Sequence, residues 1–121
     1  MSITSTNGQT PAYLDVERAL EQIGDLPALH DMLDMLQVSL TRDIPQIERL
    51  LAQDNVLLAN RMLHALKGFI PIFCTDELCD QVAAIELLSK TGTAQEVGAA
   101  FALLSPKLEQ LQSEIDTHLG I

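Results

Sequence analysis

Residues 97–119 read VGAAFALLSPKLEQLQSEIDTHL. Val97, Phe101, Leu104, Leu108, Leu111, Ile115 and Leu119 recur there at intervals of three and four. That is the period of one face of an α-helix. It is the clearest amphipathic pattern in the chain, and such a helix must bury its stripe against partners. Pro106 lies inside the stretch and is expected to bend or divide it.

Upstream, Lys90 to Thr93 form a polar turn. A helix is expected before it over about Glu77 to Leu88, with Leu78, Val82 and Ile85 facing inward. Cys74 to Asp76 read as a joint, with Thr75 or Asp76 as the cap. Val56 to Phe73 form another helix, after a turn at Gln53, Asp54 and Asn55. Asp25 caps a long helix whose stripe is Leu29, Leu33, Leu36, Leu40, Ile47 and Leu51, with Pro27 in its first turn. Pro45 should kink or break it. A short helix over Val16 to Ile23 is capped by Asp15 and ended by Gly24. The expected fold is all-α: an antiparallel four-helix bundle with a short additional N-terminal helix. Residues 1–12 read as a polar leader or linker and 13–121 as the domain.

Composition agrees with this reading. The chain has 121 residues, enough for one domain with its own core. It is 47% hydrophobic but only 3% aromatic, so the core is aliphatic, which favours helices. Seventeen acidic residues against seven basic give a net charge of −10. That argues against nucleic acid and against docking on anionic lipid. Neither a signal peptide nor a long apolar run is visible, so membrane insertion is not expected. With only Cys74 and Cys79, a disulfide scaffold is excluded and a cytoplasmic location follows. A monomer is expected.

The helix over 56–73 carries chemistry on its outer face. Ala59, Met62, Leu63, Leu66, Phe69 and Ile70 form its core stripe. At about 100° per residue, Asn60, His64, Lys67, Gly68 and Pro71 share the opposite side, with Arg61 nearby. His64 should therefore face solvent, with Lys67 beside it. A neutral imidazole is a nucleophile near pH 7, and a neighbouring cation stabilises charge on phosphoryl oxygens. Gly68 leaves room for a partner's backbone. The chain has no P-loop or kinase-like glycine-rich loop, so it lacks the means to cleave ATP itself.

His64-Ala65-Leu66-Lys67-Gly68 resembles the His-x-Leu-Lys-Gly signature of histidine phosphotransfer domains. Leu14 to Leu20, Gly24-Asp25 and Thr41 to Pro45 are similar to other parts of that family, over about Leu14 to Leu119. The resemblance implies a four-helix bundle with His64 as phosphoacceptor and Lys67 stabilising the phosphate. It implies a partner receiver domain, of a response regulator or a hybrid sensor kinase. No cofactor or metal is expected on this chain, because Mg²⁺ belongs to the receiver's acidic pocket. The chain departs from the family at Phe69 to Cys74, where small residues and a further glycine are usual. Pro71 and Ile72 are read as an apolar docking patch for the receiver, flanked by Asn60, Arg61 and Gly68. The rival readings are a bundle that binds a receiver without phosphotransfer and a helical adaptor with an accidental motif. His30 and His118 are read as structural or neutral, and the two thiols as ordinary buried cysteines.

Overall fold

A computed structural model describes residues 11–120, so residues 1–10 of the expected leader lie outside the described residues. Five helices follow one another: α1 (Val16–Ile23), α2 (Leu26–Ala52), α3 (Val56–Phe73), α4 (Asp76–Leu88) and α5 (Ala94–Leu119). No strand occurs among the described residues.

The caps explain where the helices begin and end. The Asp15 carboxylate accepts from the Arg18 amide at 3.0 Å, opening α1. Gly24 closes it at φ 81°, a left-handed conformation that only glycine adopts without strain. Asp25 accepts from the Ala28 amide at 3.0 Å and opens α2, with Pro27 in the first turn. Thr93 and Glu96 form a reciprocal capping box that opens α5. Thr75 is the N-cap of α4, which starts at Asp76, one residue earlier than expected; its hydroxyl makes no capping bond.

Of the two outcomes expected at each proline, a bend or a division, division does not occur. Neither Pro45 nor Pro106 divides its helix; α2 and α5 run unbroken through them. Each proline is exposed, so the carbonyl it leaves without an N–H partner has access to water. On the inner face Ile44 and Ile47 flank Pro45, and Leu104 and Leu108 flank Pro106, all buried. Packing on both sides of the ring holds each helix together.

α2 packs on α3 and α5, α3 on α4, and α4 on α5, while α1 lies against α2 and α3. Gln37 donates to Asp116 while Ser105 donates to Glu48, so α2 and α5 run antiparallel. Asn60 meets Ser89 while Lys67 meets Glu86, so α3 and α4 do too. The expected stripes fill the centre: Leu29, Leu33, Leu40, Leu63, Leu66, Ile70, Leu78, Phe101, Leu104, Leu108 and Leu111 are almost wholly buried. By length and composition alone α3 could cross a membrane. In this fold its buried residues are Ala59, Leu63, Leu66, Ile70 and Phe73.

A strap ahead of α1 fixes the far end of α3. The Asp15 amide donates to the Phe73 carbonyl at 2.7 Å, and the Thr75 amide donates to the Tyr13 carbonyl at 2.9 Å. Arg18 donates to the Cys74 carbonyl and pairs with Asp76 at 2.6 Å. Glu114 of α5 accepts the amides of Ala12, Tyr13 and Leu14 at 2.8, 3.0 and 2.9 Å. The joint between α3 and α4 is thus tied to both α1 and α5.

Candidate functional site

α3 is regular through His64, because Asn55 opens it by accepting from the Leu58 amide and the bundle packs one side of it. Leu63 and Leu66 are fully buried and anchor the turn on either side of His64. The imidazole therefore stands outward, with 71% of its side chain exposed. Arg61 and Gly68 are exposed around it. A Cβ built on Gly68 would meet nothing within 4 Å, so the fold itself does not require glycine there.

Beneath His64 lies a residue that the sequence did not single out. Glu86 of α4 is only 1% exposed, covered by the side chains grouped over it. Its Oε1 lies 3.2 Å from Lys67 Nζ. Its Oε2 lies 3.6 Å from His64 Nδ1 and 3.7 Å from Lys90 Nζ. Asn60 Nδ2 donates to Glu86 Oε2 at 3.2 Å and to Ser89 Oγ at 2.7 Å, and Ser89 Oγ donates to the Glu86 carbonyl. One carboxylate thus gathers two lysines, an asparagine and the histidine. Burial pushes the Glu86 carboxyl up, but the hydrogen bonds from Lys67 and Asn60 and the charges of Lys67 and Lys90 outweigh it. The net effect holds the group below the ordinary carboxylate range.

The structure brings His64, Lys67 and Gly68 together on one face, with Asn60 at its edge directed inward to Glu86. Asn60 is half-buried and spends its amide on α4. Glu86 had one legible signal: it lies four residues beyond Val82 and eight beyond Leu78, on the inward stripe. A carboxylate there must find partners or cost stability. Further along the same face Pro71 is exposed, and Ile72 beside it is half-buried. Pro71 does not break α3; it sits in the last turn, and the Cys74 amide closes that turn on the Ile70 carbonyl at 3.0 Å. Ile72 lines a shallow groove of about 190 Å³ with Phe69, Phe73, Met32, Met35 and Leu36. Met35 there is 68% exposed.

Among the described residues no three His, Cys, Asp or Glu side chains are grouped so as to hold a metal ion. Cys74 is buried and Cys79 half-buried, both free. Burial, then the neighbouring Cys79, pushes the Cys74 thiol up, so it is a poor nucleophile. His64 is the exposed imidazole with cations beside it; His30 and His118 instead face each other across α2 and α5.

Comparison with curated proteins and with solved structures yields no significant match. The sequence model of the Hpt domain matches residues 31–117. That span covers most of the chain, including the helix that carries His64, and the all-helical architecture agrees with it. The chain belongs to the Hpt domain family, whose role is histidine phosphotransfer in two-component signalling.

Proposed function

We propose that this protein is a phosphorelay intermediate that accepts a phosphoryl group on His64 from a receiver aspartate and donates it to another receiver. The observation that carries this reading is an exposed imidazole 3.6 Å from a buried carboxylate that also holds Lys67. Such an imidazole can be approached in line, and Lys67 stands where phosphoryl oxygens would gather charge. The charge distribution supports the same reading. Of the seven basic residues, Arg18 and Arg42 are paired one to one with Asp76 and Asp43, whereas Arg61, Lys67 and Lys90 lie near His64, the two lysines sharing the single carboxylate of Glu86. On a molecule of net charge −10, that local positive field suits the acidic phosphorylation pocket of a receiver.

The partner is the receiver domain of a response regulator or of a hybrid kinase. It docks on Arg61, Gly68, Pro71 and Ile72, with the groove between α2 and α3 taking apolar side chains. Mg²⁺ acts in the receiver, and this chain contributes no metal ligand. The protein works as a cytoplasmic monomer; the core positions of α3 are spent inside the bundle, which supports that placement.

The test is incubation with a receiver phosphorylated at its aspartate. An acid-labile label on the wild type and none on His64→Gln is the expected result. Tight binding without label, for every receiver tried, overturns phosphotransfer in favour of a docking module.

A further inference from the structure

We propose that the receiver's footprint runs N-terminally from His64 onto the first turns of α3, where the Arg61 guanidinium grips a surface carboxylate of the receiver and so selects receivers that carry one. This rests on the reading of the partner as a receiver domain. Six of the seven basic side chains have a partner within the chain. Arg18 and Arg42 each hold an aspartate, Lys67 and Lys90 share Glu86, and Arg49 and Lys107 each donate to a glutamine. Arg61 is the exception. It is exposed and makes neither an ion pair nor a side-chain hydrogen bond among the described residues. The chain carries seventeen acidic residues, and none of those described is placed against it. The charges of the two lysines are offset by the buried carboxylate they share, whereas that of Arg61 stands unneutralised at the surface beside His64.

The helix sets what that charge can reach. Arg61 and Lys67 lie three residues before and three after His64. At about 100° and about 1.5 Å per residue, they stand about 60° to either side of it and about 9 Å apart along the axis. Lys67 is on the flank toward α4, over Glu86, where phosphoryl oxygens would gather. Arg61 is on the other flank, shared with Gly68 and Ile72, away from that position. A guanidinium there offers a planar fork of donors that fits a carboxylate through two parallel hydrogen bonds, and it is weakly hydrated enough to be covered on docking. Leu57 is in line with His64, two turns earlier, and is 67% exposed. The complementary surface on the receiver is thus an acidic side chain next to an apolar one, beside the phosphorylated aspartate. An acid at that place steers the encounter, and a lysine or arginine there is repelled.

The test is binding of the full chain to the receiver of the source organism that binds the wild type most tightly. At low salt Arg61→Glu should weaken the Kd at least about tenfold and Arg61→Ala about threefold or more, and both deficits should shrink at high salt. Arg61→Lys keeps the charge and loses the fork, so it should fall between Arg61→Ala and the wild type. Leu57→Ser should weaken binding equally at both salt concentrations. Among the receiver's acids around its phosphorylated aspartate, one changed to arginine should restore binding to Arg61→Glu. Arg61 has no partner in the bundle, so circular dichroism should show every variant folded. Folded Arg61→Glu and Arg61→Ala proteins that bind like the wild type overturn the proposal. So does a deficit that high salt leaves unchanged, or a receiver in which no acid-to-arginine change rescues Arg61→Glu. If Arg61→Glu does not fold, Arg61→Ala and Arg61→Lys decide. If no receiver binds, the contact has no partner and the proposal falls. Binding is also read on His64→Gln, so docking and phosphotransfer fail separately. A wild type that binds without label defeats the relay, whereas a labelled wild type whose binding ignores Arg61 defeats this contact.

Discussion

The rings of His30 and His118 meet edge to face, their centroids 5.2 Å apart, where the start of α2 crosses the end of α5. Burial lowers the affinity of His118 for a proton, and a charge on His30 lowers it further. The folded pKa of His118 thus lies below its ordinary value of 6.5. Above that value the ring is neutral in both folded and unfolded chains, and its packing contributes fully. As pH falls through about 6.5 the unfolded chain takes up the proton first, so stability declines until the folded pKa is passed. The urea midpoint should be lower at about pH 5.5 than at about pH 7.5. His118→Phe, which keeps an aromatic edge and cannot be charged, should shrink that difference. An unchanged pH dependence in this variant would show that the pair does not set it.

Gly68 separates fold from function. With open space around a Cβ there, Gly68→Ala meets no obstacle in the bundle. Replacing a mid-helix glycine by alanine should stabilise it by roughly 0.5–1 kcal/mol. Gly68→Gln should fold equally well yet block transfer, because the side chain projects into the space beside His64 that a partner must enter. Thermal melts and receiver-to-protein transfer rates, run on the same samples, check both halves. Normal transfer by the glutamine variant would show that close approach at this position is unnecessary.

Lys67→Ala should slow transfer by about tenfold or more while circular dichroism stays that of the wild type. Lys67 is partly exposed but its partner Glu86 is buried; Asn60 and Lys90 still serve that carboxylate, so the loss should cost about 1–3 kcal/mol and leave the bundle folded. Cooperative melting at much lower temperature would place Lys67 in the architecture instead of the chemistry.

Glu114→Ala should loosen the strap. Three amides lose their acceptor, which should cost about 1–3 kcal/mol, and hydrogen exchange at Ala12 to Leu14 should quicken. The tryptic and exchange behaviour of α2 should be unaffected.

The fold was legible because its signals are local. Asp15, Gly24, Asp25 and the leucine stripes each act within a few residues, and each ends or buries a helix as their chemistry requires. The outward position of His64 followed from the same 3.6-residue period. Glu114 was not legible, and Glu86 only through its place on the inward stripe, since an acid on a helix reads as solvated unless its partners are known. Those partners are 26 and 19 residues away for Asn60 and Lys67, and 100 or more for the strap amides. At the prolines a local rule allowed a bend or a break, and burial on either side of each ring is why no break occurs.

The strap has one more consequence, for how the polypeptide is joined up. Its clasp to Glu114 brings the first described residues beside α5, about 7.5 Å from that helix's end at Leu119 at a rise of about 1.5 Å per residue. A short linker between Ala12 and Gly120 would therefore close the described residues into a ring, to be reopened at Gln53 to Asn55, away from the helix face that bears His64. A circular permutant built this way should retain the helices and their neighbours. The described residues begin and end beside the same helix, an arrangement suited to being spliced whole into another polypeptide as an insert.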